Sequence, residues 1–258
     1  MTGLRYVYGI VPADSAATVG GAGVVGIDGG PVRALAAGPF AAVYSEVDEE
    51  EYGEARLNDR VRDLEWLTPR AAAHQSVNAR ILELAGVVLP LSFGALYRDD
   101  DRVREMLRED VPARTERLRA LDGRGEWVVT ILRDGGEERD ASGELRDIDR
   151  QIAESAPGRG YLLTKRRASV SREATARADA DAAERALAQL VRVSERAYRE
   201  PVAQGGEDIV VLRVSLLAPR AKAGDIDGAI ARLTDDLAPL GYRVRTTGPW
   251  PAYRFGSL

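Results

Sequence analysis

One imidazole limits the chemistry open to this chain. His74 is its only histidine, and it has no cysteine. Disulfides, thiolate metal sites and cysteine nucleophiles are therefore excluded. Any site that needs two imidazoles is excluded with them. A serine hydrolase would have to use His74 as its base, and no G-x-S-x-G is present. His74, Val77 and Ile81 recur at helical spacing, which predicts a partly buried, hydrogen-bonded histidine on an apolar helix face.

Gly21-Ala22-Gly23-Val24-Val25-Gly26 matches the letters G-x-G-x-x-G. A dinucleotide fingerprint needs a strand running directly into the glycines and a helix starting within them. Here Pro12 to Gly20 intervene, and Ile27-Asp28-Gly29-Gly30-Pro31 is a poor helix start. The motif reads as a glycine-rich loop. No G-x-x-x-x-G-K-[ST] occurs. Asp48 to Glu51, Asp99 to Asp101, and Asp225 with Asp227 have the oxygen chemistry of hard-cation ligands. None follows the EF-hand pattern, and solvated faces or helix starts account for them. No catalytic residue, cofactor or metal is expected.

The charge balance points the same way. The chain of 258 residues has a net charge of −5 and a pI near 5.2, which disfavours nucleic-acid binding. Lys165, Arg166, Arg167, Arg172 and Arg177 form a local basic run. It reads as a solvated helix face, with contact to an acidic protein partner as a second use. Hydrophobic residues make up 45% and charged residues 30%, an ordinary globular balance. No stretch approaches the ~20 apolar residues of a membrane span, and Met1 to Val11 lacks the features of a signal peptide. A cytoplasmic protein is expected.

The elements that must position these residues follow from periodicity. Leu4 to Val11 reads as a strand ending at Pro12. Val24 to Ile27 and Val32 to Ala36 are weaker strands, and Phe40 to Val47 pairs with them. Helical spacing starts at Arg56, with Thr68-Pro69 marking either a second helix or a kink, and Gly86 ends it. Val87 to Leu91 is a strand whose Pro90 implies an edge or irregularity, followed by Phe93 as a core residue. A helix from Asp99–Asp101 reaches Leu121, with Pro112 as a breaker. The second half reads Trp127 to Leu132 as a strand, Asp134 to Asp149 as a polar loop with a short helix near its end, and about Tyr161 to Arg199 as a long helix. Ile209 to Ala218, Asp225 to Leu237 and Tyr242 to Thr246 then read as strand, helix and strand. The fold class is α+β with two domains, residues 1–123 and 124–258. A ferredoxin-like arrangement is the compact solution for the second.

The last segment, Thr247 to Phe255, is the most unusual. Trp250, Tyr253 and Phe255 alternate with Pro249 and Pro251. Large rings next to prolines suit either a tail folded back on its own sheet or a surface that docks a partner. Trp250, Tyr253 and Phe255 are the candidate partner-binding residues.

Several segments together resemble the gas-vesicle GvpF/GvpL family. These are Tyr6-Val7-Tyr8-Gly9-Ile10-Val11, Trp66-Leu67 followed by His74, Val88-Leu89-Pro90-Leu91-Ser92-Phe93-Gly94, Gly160-Tyr161-Leu162, and Thr247-Gly248-Pro249-Trp250-Pro251-Ala252-Tyr253-Arg254-Phe255. Ser92 and Ala252 depart from the family pattern, where Arg and Pro are expected. The resemblance implies two α+β domains, the second a modified ferredoxin-like fold with a long helix. It implies a non-enzymatic accessory or minor structural role in gas-vesicle assembly, in the gas vesicle or cytoplasm. The implied partners are the major shell protein and other accessory proteins, with no nucleic acid and no membrane. The alternative is a small-molecule-binding or enzymatic α+β domain pair with a cleft between the domains.

Overall fold

The structure is a computed structural model that describes residues 3–134, 143–202 and 208–256. Its contacts divide the chain into two compact units. One is Met1–Trp127 with Leu217–Ala223 and Thr247–Leu258, and the other is Val128–Leu216 with Gly224–Thr246.

The first unit is built around its first strand. β1 (Gly3–Pro12) leads through a turn to α1 (Ala16–Gly20), and β2 (Arg33–Ala37) and β3 (Phe40–Asp48) form a hairpin. α2 (Glu49–Tyr52), α3 (Glu54–Arg60) and α4 (Leu64–Ala85) follow, then β4 (Leu89–Pro90), β5 (Leu96–Tyr97), α5 (Asp100–Arg108) and α6 (Val111–Leu121). The sheet order is β2-β3-β1-β4, with β5 also pairing β1. β1 runs antiparallel to β3 from Gly3 opposite Asp48 to Pro12 opposite Phe40.

Every residue from Tyr6 to Val11 is buried, because apolar clusters cover both faces of the sheet. Tyr6, Tyr8 and Val11 pack with Val43, Trp66, Val77 and Ile81 on one face. Val7 and Ile10 pack with Phe40, Leu89, Leu107 and Leu118 on the other. A strand buried on both sides has no polar alternation, which explains its unbroken apolar reading.

Helix ends follow the expected chemistry. Asp63 caps α4, accepting from the Glu65 and Trp66 amides at 3.0 and 3.4 Å. Asp99 caps α5 through the Arg102 amide at 2.9 Å, which satisfies an orphan donor of the first turn. Pro112 sits in the first turn of α6, where its missing N–H costs no helical bond. Pro69 lies inside a continuous α4, so the helix starts at Leu64 rather than at the proline. Pro90 lies on the edge strand of the sheet, as its chemistry requires. Phe93 is only half-buried and packs on the cluster from its margin. The weak strand expected at Val24 to Ile27 is instead an isolated bridge, Val25 to Pro31, and a 3-10 turn at Ile27–Gly29. Asp28 there has φ +53°, a left-handed conformation that no strand accommodates.

The second unit holds all or most of β6 (Arg124–Arg133), α7 (Gly143–Ala153), α8 (Pro157–Val191), β7 (Arg196–Arg199), β8 (Ile209–Pro219), α9 (Ala223–Leu237) and β9 (Tyr242–Trp250). The sheet order is β7-β8-β6-β9, all antiparallel. Strand-helix-strand-strand-helix-strand in this order is the ferredoxin-like split β-α-β. It is modified by α7, which packs on the 35-residue α8. Leu145 and Ile148 of α7 are buried. The polar loop expected after Asp134 lies partly outside the described residues.

The long helix stops earlier than its periodicity suggests. It ends at Val191, and Arg196–Arg199 is an edge strand exposed along its length. Edge strands carry few packed side chains and little alternation. Pairing with β8 decides the conformation there, and local pattern does not show it.

The chain closes with α10 (Tyr253–Gly256). Expected with the second half, residues 247–258 group with the first unit. Ala252 packs among Val7, Leu89 and Leu121, and a Cβ on Gly256 would stand 2.8 Å from Leu121 Cδ1.

Arg220 holds the same unit from β8's end. Its guanidinium donates to the Leu82 carbonyl at 3.2 Å and the Gly86 carbonyl at 2.7 Å. These are carbonyls at the C-terminus of α4, where a cation is favoured. Replacing Arg220 with Ala is expected to lower unfolding free energy by about 2 kcal/mol, the scale of charged hydrogen bonds. Urea denaturation checks this, and an unchanged midpoint would contradict it.

Candidate functional site

Residues two apart on a strand share a face, so Tyr6 and Tyr8 lie side by side with ring centroids 5.1 Å apart. Residues four apart on a helix share a face, so His74 and Asn78 of α4 cover them together. The Tyr6 hydroxyl lies 2.8 Å from His74 Nδ1. Asn78 Nδ2 lies 3.1 Å from His74 Nε2 and donates to the Tyr8 carbonyl at 3.2 Å. The Tyr6 hydroxyl also accepts from the Gly94 amide at 3.2 Å. A second chain starts at the Tyr8 hydroxyl. It accepts from the Ile27 amide at 2.8 Å and donates to Ser45 Oγ at 3.0 Å, and Ser45 donates to the Pro31 carbonyl.

Tyr6, Tyr8, Ser45 and Asn78 are fully buried, and His74 is 4% exposed. Burial lowers the His74 pKa to about 4, offset in part by a hydrogen bond to the Leu91 backbone. Burial also pushes the Tyr6 and Tyr8 phenols up. The imidazole and both phenols are therefore neutral at pH 7. Their mutual hydrogen bonds fix the chain segments that carry them.

A rim cluster extends this core. The Tyr52 hydroxyl donates to Asp28 at 2.5 Å, and Arg70 reaches both Tyr52 and Asp28, at 3.0 and 2.9 Å. The Arg70 guanidinium stacks 4.4 Å over the Trp66 ring, whose indole N–H donates to Glu51 at 2.7 Å. Together these pin the loop around Asp28 to α4.

The glycine motif is thereby explained. A Cβ on Gly26 would stand 2.2 Å from Ser45 Oγ and 2.4 Å from the Tyr8 hydroxyl. Gly26 is needed because the buried hydroxyls occupy that space. The loop does not run from a strand into a helix, so it lacks the geometry of a dinucleotide site. The acidic clusters divide by role: Asp48 and Asp99 are helix caps, and Asp225 lies in the first turn of α9. Among the described residues no group of three or more His, Cys, Asp or Glu is placed to hold a metal ion. An open concavity of about 410 Å³ beside α5 is lined by Leu96, Tyr97, Arg98 and Met106, with Arg102 paired to Glu105.

The three aromatics of the closing segment lie on the first unit. Tyr253 reaches the histidine cluster, its ring 6.3 Å from that of His74. Its hydroxyl is buried beside the Asn78 side chain, and burial raises its pKa. Phe255 packs against the cluster that includes Leu89 and Leu121. Trp250, at the end of β9, is half-buried. The Arg254 amide donates to the buried Glu126 carboxylate at 2.8 Å. Sequence reasoning singled out His74 but missed Tyr6, Tyr8, Ser45 and Asn78. The signal was present in the two-residue spacing of the tyrosines and the four-residue spacing of His74 and Asn78.

These features belong to a known class. Residues 4–257 match the family described as "Gas vesicle synthesis protein GvpL/GvpF", and the chain belongs to that family. It is 33% identical to gas vesicle protein L of a Streptomyces species, over 99% of this chain and 93% of that one. It is 31% identical to gas vesicle protein F of the same strain, over 97% of this chain and 98% of that one. The crystal structure of GvpF from an Anabaena species superposes with a TM-score of 0.76 at 18% identity, covering 100% of this chain and 99% of that one. The protein is thus a gas-vesicle protein with the GvpF fold. Among the described residues no helix is long and apolar enough to cross a membrane.

Two predictions follow from the cluster. The folded-state pKa of His74 lies below its unfolded value near 6.5, so its contribution is complete above about pH 6.5. It falls as pH drops toward 4, by roughly 3 kcal/mol in total. The stability difference between wild type and His74→Gln should shrink by that amount from pH 7 to pH 4, and a pH-independent difference would refute it. Gly26→Ala should cost on the order of 1–3 kcal/mol through overpacking, whereas Gly20→Ala, whose Cβ meets only ordinary contacts at 3.5 Å, should shift the thermal midpoint far less.

Proposed function

We propose that this protein is a non-catalytic accessory factor of gas-vesicle assembly that binds the shell protein and other accessory proteins. The observation that carries the reading is the family match, which spans both compact units. The histidine cluster supports the non-catalytic part, since its titratable groups are buried and held neutral. A gas-vesicle wall must present an apolar face to gas, so its subunits risk aggregation before assembly. A helper that shields or orders them meets that physical need. It would act where gas vesicles form, in the cytoplasm and at the vesicle.

The proposed docking surface is the solvent-facing part of Trp250, Tyr253 and Phe255. All three residues are half-buried, with the Tyr253 hydroxyl itself buried, and the first unit holds the segment that carries them. Pre-ordered aromatic rings are efficient anchors because little entropy is lost on binding. Extended shell segments adding to a free sheet edge are a compatible mode.

Co-expression with the major shell protein tests this. Wild type is expected to co-purify with it. Alanine at Trp250, Tyr253 and Phe255 should weaken capture in variants whose circular dichroism and melting point show an intact fold. Full capture by folded triple-alanine protein would remove the tail from the interface. Absence of capture for wild type, with the other accessory proteins also present, would overturn the binding role.

A further inference from the structure

The basic run of α8 is only partly used by the fold just described. From Gly158 to Val170 no described residue of α8 is fully buried, although α7 packs along it. Arg166 and Arg167 are paired with Glu144 and Asp149 of α7. Among the described residues, Lys165 and Arg172 have no carboxylate partner. Lys165 lies 5.0 Å from the centre of the Tyr161 ring, and Arg172 Nε bonds only the Ala168 carbonyl of its own helix.

Their spacing forms a stripe. Tyr161, Lys165, Ala168, Arg172 and Ala176 fall on one helical face, separated by four, three, four and four residues. Leu162 flanks the stripe. Tyr161 is 62% and Leu162 66% exposed, two large apolar side chains side by side in water. Lys165 and Arg172 are two turns apart, about 10.5 Å along the axis. The small side chains at Ala168 and Ala176 leave dips beside the two cations.

We propose that this face of α8 docks an acidic amphipathic helix of a partner protein. Its carboxylates, seven residues apart, would meet Lys165 and Arg172. Its apolar side chains would settle over Ala168 and Ala176 against Tyr161 and Leu162. The charge argument carries the choice of occupant. The chain is acidic overall, at −5, yet residues 157–172 contain five cations and no acid, of which α7 neutralises two. Unpaired cations beside exposed apolar surface match a carboxylate-bearing apolar partner. Two unpaired cations on the stripe are too few to track a phosphate backbone. Two large apolar residues are too few for insertion at a lipid surface. The proposal does not depend on the closing segment as a shell-binding surface, and its failure leaves that reading untouched.

The test uses the full chain and a labelled synthetic helical peptide carrying Glu at seven-residue intervals with Leu between them. Fluorescence anisotropy is read at low and moderate salt. Wild type is expected to bind, more weakly as salt rises. Lys165→Glu with Arg172→Glu should weaken binding about tenfold or more and should gain affinity for the same peptide with Lys in place of Glu. Tyr161→Ala with Leu162→Ala should weaken binding of both peptides. All four positions are exposed, so unchanged melting points are expected. Affinity within twofold of wild type for both double variants overturns the proposal. So does tighter binding of phosphatidylglycerol vesicles or of polyuridine RNA than of the acidic peptide.

Discussion

The first unit depends on keeping water away from a set of polar groups that are paired with one another except at Asn78 Oδ1, which has no hydrogen-bond partner among the described residues. Tyr6, Tyr8, Ser45, His74 and Asn78 lie inside its core, and an unpaired polar group there costs on the order of 1–3 kcal/mol. Each therefore fixes a neighbour. The Tyr8 hydroxyl holds the Ile27 amide and Ser45, so the loop before β2 must approach closely, and Gly26 provides the room. The Tyr6 hydroxyl and His74 hold Gly94 and Leu91, so the segment after β4 must follow α4. One strand and one helix thus determine where two irregular segments lie. The buried aromatic edges around His74, with Tyr6, Tyr8, Phe93 and Tyr253 within 6.3 Å, close the cluster.

The second unit is organised differently. Its core is apolar and its order is set by strand pairing around β6 and β8. The long α8 exceeds what a four-stranded sheet of this kind covers, and α7 packs along it. Leu145 and Ile148 of α7 are buried, and α7 contacts α8. The pairing leaves one face of α8 in solvent, with Lys165, Arg172 and the Tyr161 ring exposed.

The division between recognition and scaffold in the closing segment is instructive. Trp250, Tyr253 and Phe255 were legible as unusual because rings and prolines crowd together. That crowding alone does not separate self-packing from docking. Burial of Ala252 and Gly256, and the Arg254 amide on Glu126, show that the segment is part of the first unit's core. Ala252 fills a buried place in that core with a small side chain.

Whereas the cap at Asp63 emerged only from the structure, the sequence by itself determined the α+β class, a long helix in the second half, the helix start at Asp99–Asp101, and the family through its end-to-end motifs. These are local or nearly local properties, carried by periodicity, capping chemistry and short strings of residues. It also excluded thiol chemistry and paired imidazoles by composition alone. Tertiary structure alone decided that Arg196–Arg199 is a strand, because an edge strand draws its conformation from the neighbour it pairs with. It alone decided that Gly26 serves a buried hydroxyl pair and that Tyr6 and Asn78 are the partners of the histidine already expected on an apolar helix face. It also placed the closing segment on the first unit. Each of those outcomes depends on groups far apart in the chain meeting in a medium without water, where hydrogen bonding and exclusion of space act between partners that no local pattern identifies.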